Sequence, residues 1–222
     1  MIKDCRKHCL VYAVTDRTWL GKRTLAQQVE DALKGGATMV QLREKELTGT
    51  ELETLARQVQ RVCADYGVPF IVNDDVDLAA KIGADGVHVG QDDMNAGEAR
   101  KILGPDRIVG VTAKTVAQAQ AAVAAGADYL GSGAVFGSST KKNAKPMTME
   151  QFREICGSVD VPVVAIGGVC ADNMHLLAGC GMAGFAVVSG IFAAENIEDA
   201  THRIREKAER LVAERENDGS HG

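Results

Sequence analysis

Side chains able to do chemistry collect at seven points along this chain, each where a hydrophobic, strand-like run gives way to a helix-like run. In chain order the clusters are Gln41 to Lys45, Asn73 to Asp75, Gly90 to Asp93, Thr112 to Thr115, Ser138 to Lys142, Ile166 to Gly168 and Val188 to Gly190. Carboxylates bind hard cations, cationic side chains bind anions, and glycine lets backbone N–H groups approach phosphate. Together these residue types suit a phosphorylated substrate.

The first cluster concentrates positive charge at the end of the second strand-like run. Because side chains alternate along a strand, Gln41, Arg43 and Lys45 share one face, with Leu42 and Glu44 on the other. A solvated strand edge is the alternative interpretation. Barrel strands are buried on both faces, however, so two cations there are costly unless they bind an anion. A diphosphate fits this requirement.

Two consecutive strand-like runs end in pairs of aspartates. Asp74 and Asp75 follow one run, and Asp92 and Asp93 follow the next. Neighbouring parallel strands lie ~4.8 Å apart, so one carboxylate from each pair can share a cation. Mg²⁺ typically takes one or two protein carboxylates and completes its shell with water and phosphate oxygens. The alternative role of helix N-cap suits Asp75 and Asp92 but does not account for all four.

The later clusters indicate phosphate binding. Residues 138–142 place three hydroxyls and two lysines in a long loop that can bind an anion or cover a pocket, although a hydrophilic mobile loop has the same composition. Gly167-Gly168 and Ser189-Gly190 follow the seventh and eighth runs, where barrels commonly hold phosphate on backbone N–H groups; tight-turn glycine is the alternative. His88, between two valines, is predicted to be a hydrogen-bonded barrel residue rather than a catalyst.

The elements that must position these clusters alternate regularly. Eight strand-like runs occupy residues 9–16, 38–45, 69–75, 86–90, 107–114, 129–136, 162–168 and 184–191. Four helices are predicted to begin with a capping box: Thr24 with Gln27, Thr50 with Glu53, Thr115 with Gln118, and Thr148 with Gln151. Glycines are predicted to end the helices before alternate strands, at Gly36, Gly83, Gly126 and Gly181.

Eight βα units with short connections predict an α/β fold, a single-domain (βα)₈ TIM barrel. We expect the barrel domain to span residues 1–215 and a disordered tail to follow over 216–222, where apolar periodicity is lost. A doubly wound open sheet is the fallback, disfavoured because the strand–GxGxxG–helix opening is missing. The carboxyl ends of all barrel strands meet on one face, so the clusters are predicted to line one pocket.

Composition excludes several classes of function. The chain has 222 residues, 45% of them hydrophobic, and a formal net charge of −5. Without a basic run or interleaved aromatics we expect no nucleic-acid partner, and without an apolar stretch of ~18 residues we expect no membrane partner. The six cysteines form no CxxC pair, which favours reduced thiols and a cytoplasmic protein. Small phosphorylated molecules are the expected partners, and homo-oligomerisation stays open.

The clusters, in this order, resemble the thiamine phosphate synthase family, also called thiamine-phosphate pyrophosphorylases. The resemblance runs from about Val11 to Phe192 and is carried by QLREK, GVPFIVNDD, ADGVHVGQDD, STKK, VVAIGG and VSGI. It implies a transferase that joins 4-amino-2-methyl-5-hydroxymethylpyrimidine diphosphate to a thiazole phosphate or its carboxylate, giving thiamine phosphate and diphosphate. It also implies a dissociative substitution in which Mg²⁺ and cationic side chains stabilise the departing diphosphate.

The resemblance gives each matching residue a role. It implies pyrimidine diphosphate binding by Gln41, Leu42, Arg43, Glu44, Lys45, Asn73 and Thr112, and thiazole phosphate binding by Ser138, Ser139, Thr140, Gly168, Val188 and Ser189. Asp74 and Asp93 are the implied Mg²⁺ ligands, and Arg43, Lys45 and Lys141 the implied catalytic cations. One position departs from the family, because Lys114 stands where a histidine is usual.

Three other functions stay open on the sequence. A thiazole tautomerase of the same superfamily would lack the paired carboxylates and rely on a histidine where Lys114 stands. An aldolase would form a Schiff base, with Lys114 as its strand-end lysine. A sensor of phosphate esters would bind without turnover. Mg²⁺-dependent diphosphate release indicates the synthase, borohydride trapping the aldolase, and ligand-induced stabilisation without turnover the sensor.

Overall fold

The strands close into a barrel. In the computed structural model, which describes residues 5–137 and 146–218, eight parallel strands pair in sequence order and the last pairs with the first. They are β1 (Val11–Val14), β2 (Met39–Leu42), β3 (Phe70–Asn73), β4 (Gly86–Val89), β5 (Ile108–Thr112), β6 (Tyr129–Gly133), β7 (Val163–Ile166) and β8 (Gly184–Val187). Each strand lies within one of the predicted runs. The barrel prediction is confirmed, and the open-sheet fallback is wrong.

Helices surround the barrel. They are α1 (Leu25–Lys34), α2 (Gly49–Asp65), α3 (Val76–Ile82), α4 (Ala96–Leu103), α5 (Val116–Ala124), α6 (Met149–Gly157), α7 (Ser189–Phe192) and α8 (Ile197–Asp218). After β7 a 3-10 turn, Met174–Leu177, replaces a full helix. Helix α8 continues past the domain boundary predicted at residue 215, and residues 219–222 of the predicted tail lie outside the described residues. None of the helices described is both long and apolar enough to cross a membrane.

Two apolar layers hold the barrel together. The inner layer fills the barrel and includes Tyr12, Met39, Ile71, Ile108, Tyr129 and Val164. The outer layer joins the strands to the helices and includes Val40, Phe70, Val109, Leu130 and Phe185. Side chains alternate along each strand, so seven of these strands contribute to both layers, whereas β4 contributes only to the outer one. Each fully buried Val, Ile or Phe contributes ~1.5–3 kcal/mol relative to exposure, which makes the strand ends rigid supports for the residues beyond them.

Threonine caps fix where several helices begin. Both hydrogen bonds of a capping box are present at two of the predicted pairs, Thr24 with Gln27 and Thr148 with Gln151. Thr115 accepts from the Gln118 N–H at 3.2 Å, but the Gln118 side chain accepts from the Lys114 N–H at 2.8 Å instead of closing the box. Gln118 thereby fixes the backbone of Lys114, one of the residues at the carboxyl end of β5.

The capping box predicted at Thr50 is wrong. Helix α2 already begins at Gly49, with Thr48 preceding it, so Thr50 lies inside the first turn. The Glu53 carboxylate is engaged elsewhere, because it forms an ion pair with Lys81 of α3. A glutamate held by a neighbouring helix cannot also reach back to the helix start.

Glycines end the helices that precede β2, β4 and β6. The helix end predicted at Gly181 is wrong, because a 3-10 turn that already ends at Leu177 precedes β8. The backbone φ is +97° at Gly36, +66° at Gly83 and +94° at Gly126, as their positions predict, and +84° at Gly181. L side chains rarely adopt this region, so glycine permits the abrupt turn into the next strand.

Candidate active site

A cavity of about 150 Å³ opens among the carboxyl ends of the strands. Seven of the predicted site residues line it: Gln41, Arg43, Asn73, Thr112, Gly168, Val188 and Ser189. His88 and Lys114 line it as well. These residues are far apart in sequence and meet because the parallel strands close on themselves and alternate side chains face the barrel axis.

Two residues of the first cluster face away from this cavity. Leu42 is 2% exposed and packs in the core between strands and helices. The Glu44 carboxylate forms an ion pair with Arg17 at 3.3 Å and accepts a hydrogen bond from the Glu46 N–H at 2.7 Å. It lines a separate pocket. Strand alternation accounts for both directions. Neither side chain reaches the cavity, which leaves their backbone groups as the part available to a ligand there.

Arg43 is held at the cavity by the loop after β1. Its Nη1 lies 3.3 Å from Asp16 Oδ2, and its backbone N–H donates to the Thr15 hydroxyl at 3.0 Å. Asp16 is itself fixed, since it accepts from the Thr18 N–H at 2.9 Å. One carboxylate does not use all five guanidinium protons, so Arg43 keeps donors for an anion.

Asp74 and Asp93 lie side by side beyond β3 and β4. Asp74 Oδ2 accepts from Lys45 Nζ and from Asn73 Nδ2, each at 2.6 Å. Asp93 Oδ2 accepts from the Gly90 N–H at 2.7 Å. Burial, and after it the adjacent Asp74 carboxyl, raises the pKa of Asp93 above its ordinary value. The two acids therefore repel one another, and Lys45 offsets only part of that repulsion.

The backbone at Asp74 adopts a left-handed conformation. Its φ is +63°, the only positive value at a non-glycine position among the described residues. Its N–H still donates to the His88 carbonyl of β4 at 2.8 Å, so the turn begins directly after the strand ladder. Such a conformation costs of order 1–3 kcal/mol and occurs preferentially at functional sites.

The aspartate pair fits a hard divalent cation. Within residues 5–137 and 146–218 no group of three or more His, Cys, Asp or Glu side chains is placed to hold a metal, which excludes a closed structural zinc site in that part of the chain. Mg²⁺ needs fewer protein ligands, because water and phosphate oxygens fill its remaining positions. Burial is the main cause of the raised pKa of Asp93, and a cation between Asp74 and Asp93 would offset the further contribution of the Asp74 carboxylate.

The other two aspartates differ from one another. Asp75 caps α3 by accepting from the Leu78 N–H at 2.8 Å, which confirms the N-cap interpretation for this residue. The same interpretation is wrong for Asp92, which is exposed. Helix α4 is capped instead by Asn95, whose side chain accepts from the Gly97 N–H at 2.8 Å.

His88 is a hydrogen-bonded barrel residue, as predicted. Its Nδ1 lies 2.9 Å from the Tyr129 hydroxyl and its Nε2 lies 2.9 Å from the Thr112 hydroxyl. Tyr129 in turn contacts the Tyr12 hydroxyl at 2.7 Å, and Tyr12 accepts from Gln41 Nε2 at 2.6 Å. The floor of the cavity is therefore a connected polar network.

Sequence reasoning missed Tyr12 and Tyr129 as members of this network. The signal lay in the glycines beside them: a Cβ on Gly110 would stand 2.1 Å from Tyr129 Cζ, and one on Gly131 would stand 3.1 Å from His88 Cε1. Glycine inside a strand often marks the close approach of another group. Here it makes room for large polar side chains inside the barrel.

Glycine turns form the opposite wall of the cavity. The φ values are +98° at Gly167 and +66° at Gly168, and a Cβ on Gly168 would stand 2.8 Å from the Phe136 carbonyl oxygen. Val188 and Ser189, at the start of α7, line the same wall. Backbone groups are thus exposed to the cavity without side chains in front of them, as the phosphate-binding interpretation requires.

Other predicted residues lie outside the cavity or outside the described part of the chain. Lys45 is 55% exposed at its side chain and points to Asp74. Ser138, Ser139, Thr140 and Lys141 fall in residues 138–145, which the structure does not describe, so their roles stay predictions. Lys114 does line the cavity, at the position where the sequence departs from the resembled family.

Fold and site together define a (βα)₈-barrel protein with a polar cavity at the carboxyl ends of its strands. The model of one family, described as thiamine monophosphate synthase, matches residues 11–191. The chain belongs to this family.

Known thiamine-phosphate synthases are similar to this chain over nearly its whole length. The thiamine-phosphate synthase of Alkaliphilus oremlandii is 43% identical over 195 residues, which cover 88% of this chain and 93% of that protein. Thiamine-phosphate synthase 2 of Streptococcus pneumoniae is 42% identical over 208 residues, covering 94% and 99%. The solved structure of thiamine phosphate pyrophosphorylase from Pyrococcus furiosus has a TM-score of 0.87 at 34% identity and covers 94% of this chain and 100% of that one.

Proposed function

We propose that this protein is a transferase that joins 4-amino-2-methyl-5-hydroxymethylpyrimidine diphosphate to thiazole phosphate, giving thiamine phosphate and diphosphate, or to the carboxylate of thiazole phosphate, in which case CO₂ is released as well. The observation that carries the proposal is the convergence of Arg43, Asn73, Thr112 and the Gly167-Gly168 turn on one cavity, in a chain whose family match spans the barrel. A cation, an amide, a hydroxyl and backbone N–H groups without side chains in front of them are the kinds of group that bind phosphorylated substrates.

The reaction makes limited demands on the protein. The bond between the pyrimidine methylene carbon and the diphosphate oxygen breaks, and both electrons leave on the diphosphate. The lone pair of the thiazole nitrogen then forms the new carbon–nitrogen bond. No proton is removed from carbon, so the site must orient the two substrates, exclude water and stabilise negative charge on the leaving group.

Arg43 and Lys45 are proposed to stabilise the departing diphosphate. Both extend from the end of β2, and each is already held by a carboxylate, Asp16 and Asp74 respectively. Cations fixed before the reaction need little reorganisation when charge develops, which is the condition for effective electrostatic catalysis. Lys141 is proposed as a third cation on the strength of the resemblance.

Asp74 and Asp93 are proposed to hold Mg²⁺ beside these cations. When bound, the ion neutralises charge on the diphosphate oxygens. The hydrogen bonds from Lys45 and Asn73 to Asp74 orient that carboxylate, and the Gly90 N–H does the same for Asp93. Both acids are thus held by neighbours at the carboxyl ends of β2, β3 and β4.

The glycine wall is proposed to hold the thiazole phosphate. Gly168, Val188 and Ser189 present backbone groups there, and glycine at 167 and 168 keeps side chains out of the way. Ser138, Ser139 and Thr140 are proposed to add hydroxyl donors. This wall lies across the cavity from Gln41 and Asn73, which leaves room for the pyrimidine between them.

A second candidate deserves a test because Lys114 lines the cavity. A lysine at a barrel strand end is the group that a Schiff-base aldolase uses. Borohydride reduction with a carbonyl substrate would trap such an enzyme covalently at Lys114. The synthase reaction involves no imine and leaves the protein unmodified.

The decisive experiment mixes both substrates with the protein and Mg²⁺ and follows thiamine phosphate by mass spectrometry. We expect thiamine phosphate and diphosphate in equal amounts. Absence of product with either form of the thiazole substrate would contradict the proposal.

We also propose a cytoplasmic location, because all six cysteines are present as thiols and five of them are buried.

A further inference from the structure

A chain of hydrogen bonds crosses the inside of the barrel. It runs from Gln41 Nε2 to the Tyr12 hydroxyl (2.6 Å), then to the Tyr129 hydroxyl (2.7 Å), to His88 Nδ1 (2.9 Å), and from His88 Nε2 to the Thr112 hydroxyl (2.9 Å). The exposure of Gln41, Tyr12, Tyr129 and His88 does not exceed 9%. Thr112 is half-buried and lines the cavity.

In only one direction of this hydrogen-bond chain does every polar proton have an acceptor. An amide nitrogen only donates, so the Tyr12 oxygen accepts from Gln41 and its own proton goes to Tyr129. Tyr129 then donates to His88 Nδ1, which places the imidazole proton on Nε2, facing Thr112. The reverse direction would strand the Tyr12 proton in a fully buried position, where an unsatisfied donor is costly.

The two phenols are suited to this role. Burial, the largest cause for both, raises the pKa of Tyr12 and of Tyr129 above the ordinary tyrosine value, so each keeps its proton. Gly110 and Gly131 provide the space, since a Cβ at either position would press on Tyr129 or His88. Apolar side chains would fill this layer of the barrel without the need to satisfy polar groups, so packing alone does not explain the network.

The consequence appears at the Thr112 hydroxyl. Its oxygen receives the His88 proton, so its own proton is left to donate. Within residues 5–137 and 146–218 no side-chain or backbone acceptor takes that proton. The hydroxyl lies at the cavity, where a substrate atom can accept it.

We propose that Tyr12, Tyr129 and His88 are positioning residues that fix the direction of this chain, so that Thr112 presents a proton to the cavity and selects a hydrogen-bond acceptor on the pyrimidine diphosphate. The proposal rests on the proposed function for the identity of that substrate. A substrate analogue that carries a donor at this point meets a second donor and is rejected, because two protons face each other. The direction of the hydrogen bonds among Tyr12, Tyr129 and His88 therefore determines which substrates Thr112 accepts, although these three residues act only through Thr112.

The first test reads the His88 tautomer in the ligand-free protein by ¹⁵N NMR of labelled histidine. We expect the wild-type ring to carry its proton on Nε2. Gln41→Glu replaces the amide donor with an acceptor of the same shape, so we expect the chain to reverse and the proton to move to Nδ1. Adding Tyr12→Phe removes the link through which Gln41 acts, and the double variant should return to the Nε2 tautomer.

Each outcome of this NMR experiment either supports or overturns the proposal. A wild-type ring protonated on Nδ1 overturns the proposal without any variant. Retention of the Nε2 proton in a folded Gln41→Glu protein overturns it as well, as does reversal that persists in the double variant. Movement of the proton in the single variant and its return in the double variant supports it.

The second test concerns the substrate. Thr112→Val removes the donor and should raise the KM for the pyrimidine diphosphate about tenfold or more, whereas Thr112→Ser keeps the hydroxyl and should stay within about threefold. Both variants should leave the His88 tautomer unchanged. Equal KM values for the two variants would show that the Thr112 hydroxyl donates no hydrogen bond to the substrate. If the wild-type protein forms no thiamine phosphate, the proposed function fails while the NMR result still decides the direction of the chain.

Discussion

Replacing Asp93 with asparagine should separate the stability of this protein from its activity. Asp93→Asn keeps the size of the side chain and an oxygen that can accept from the Gly90 N–H, which the aspartate accepts at 2.7 Å. It removes only the negative charge next to Asp74. The change is therefore a test of what that charge does.

The expected effect on stability is small and favourable. Burial and the neighbouring Asp74 raise the pKa of Asp93 in the folded protein, so the folded state holds this proton to a higher pH than the unfolded chain does. The free energy of unfolding then falls as pH rises from the unfolded pKa through the raised folded pKa. Asparagine has no such proton, so at neutral pH the metal-free variant should match or exceed the wild type. The gain should be less than ~1 kcal/mol, because Asp93 is only partly removed from water and solvent screens its charge.

The expected effect on turnover is large and unfavourable. One of two carboxylates proposed to hold Mg²⁺ is lost, and the charge that develops on the diphosphate is less well neutralised. A loss of ~2.7 kcal/mol of transition-state stabilisation corresponds to about 10²-fold in rate. Opposite signs for stability and activity are typical of a functional site and not of a structural ion pair.

The assay compares initial rates of thiamine phosphate formation, with and without EDTA, and thermal unfolding across a titration of Mg²⁺. We expect Mg²⁺ to raise the Tm of the wild type more than that of Asp93→Asn. Asp92→Asn is the matched control, because this neighbouring carboxylate is exposed and does not cap α4. It should keep its rate within about threefold.

Two results would refute the reasoning. Wild-type activity that persists in EDTA would remove the metal from the mechanism. A rate for Asp93→Asn within tenfold of the wild type, or one no lower than that of Asp92→Asn, would show that the carboxylate pair is not needed for turnover.

Three further outcomes are expected. Lys114→His should keep the rate of thiamine phosphate formation within about tenfold, ~1.4 kcal/mol or less, because the dissociative route needs no base there; rescue of an inactive wild type by this change would contradict that expectation. Lys141→Ala should lower kcat far more than Lys142→Ala in the same assay, and equal effects would return this loop to a solvated role. Gly110→Ala should lower the free energy of unfolding by ~1–3 kcal/mol or more, since the new methyl would stand 2.1 Å from a tyrosine ring, whereas Gly157→Ala meets nothing within 4 Å and serves as the control in denaturant titrations.

The strand and helix pattern was readable from sequence because it depends on local periodicity. All eight strands lie inside their predicted runs, and Gly36, Gly83 and Gly126 have the positive φ that their position after a helix predicts. The prediction at Thr50 failed because α2 already begins at Gly49, and because Glu53 pairs with Arg57 and with Lys81 of the next helix. Likewise Asp92 and Asp75 look equivalent in sequence, and only the structure shows that Asn95, not Asp92, is the N-cap of α4.

The residue types that meet at the site were fixed by the sequence, since a closed parallel barrel brings every strand end to one face. The sequence also determined the face of β2 to which Gln41 and Arg43 belong, because side chains alternate with a period of two. The tertiary structure alone decided which of these groups touch. The closeness of Asp74 to Asp93, and the link from Gln41 through two buried tyrosines to His88, depend on side-chain directions across the barrel. Such contacts join residues far apart in the chain, and neither periodicity nor spacing along one strand records the geometry between strands.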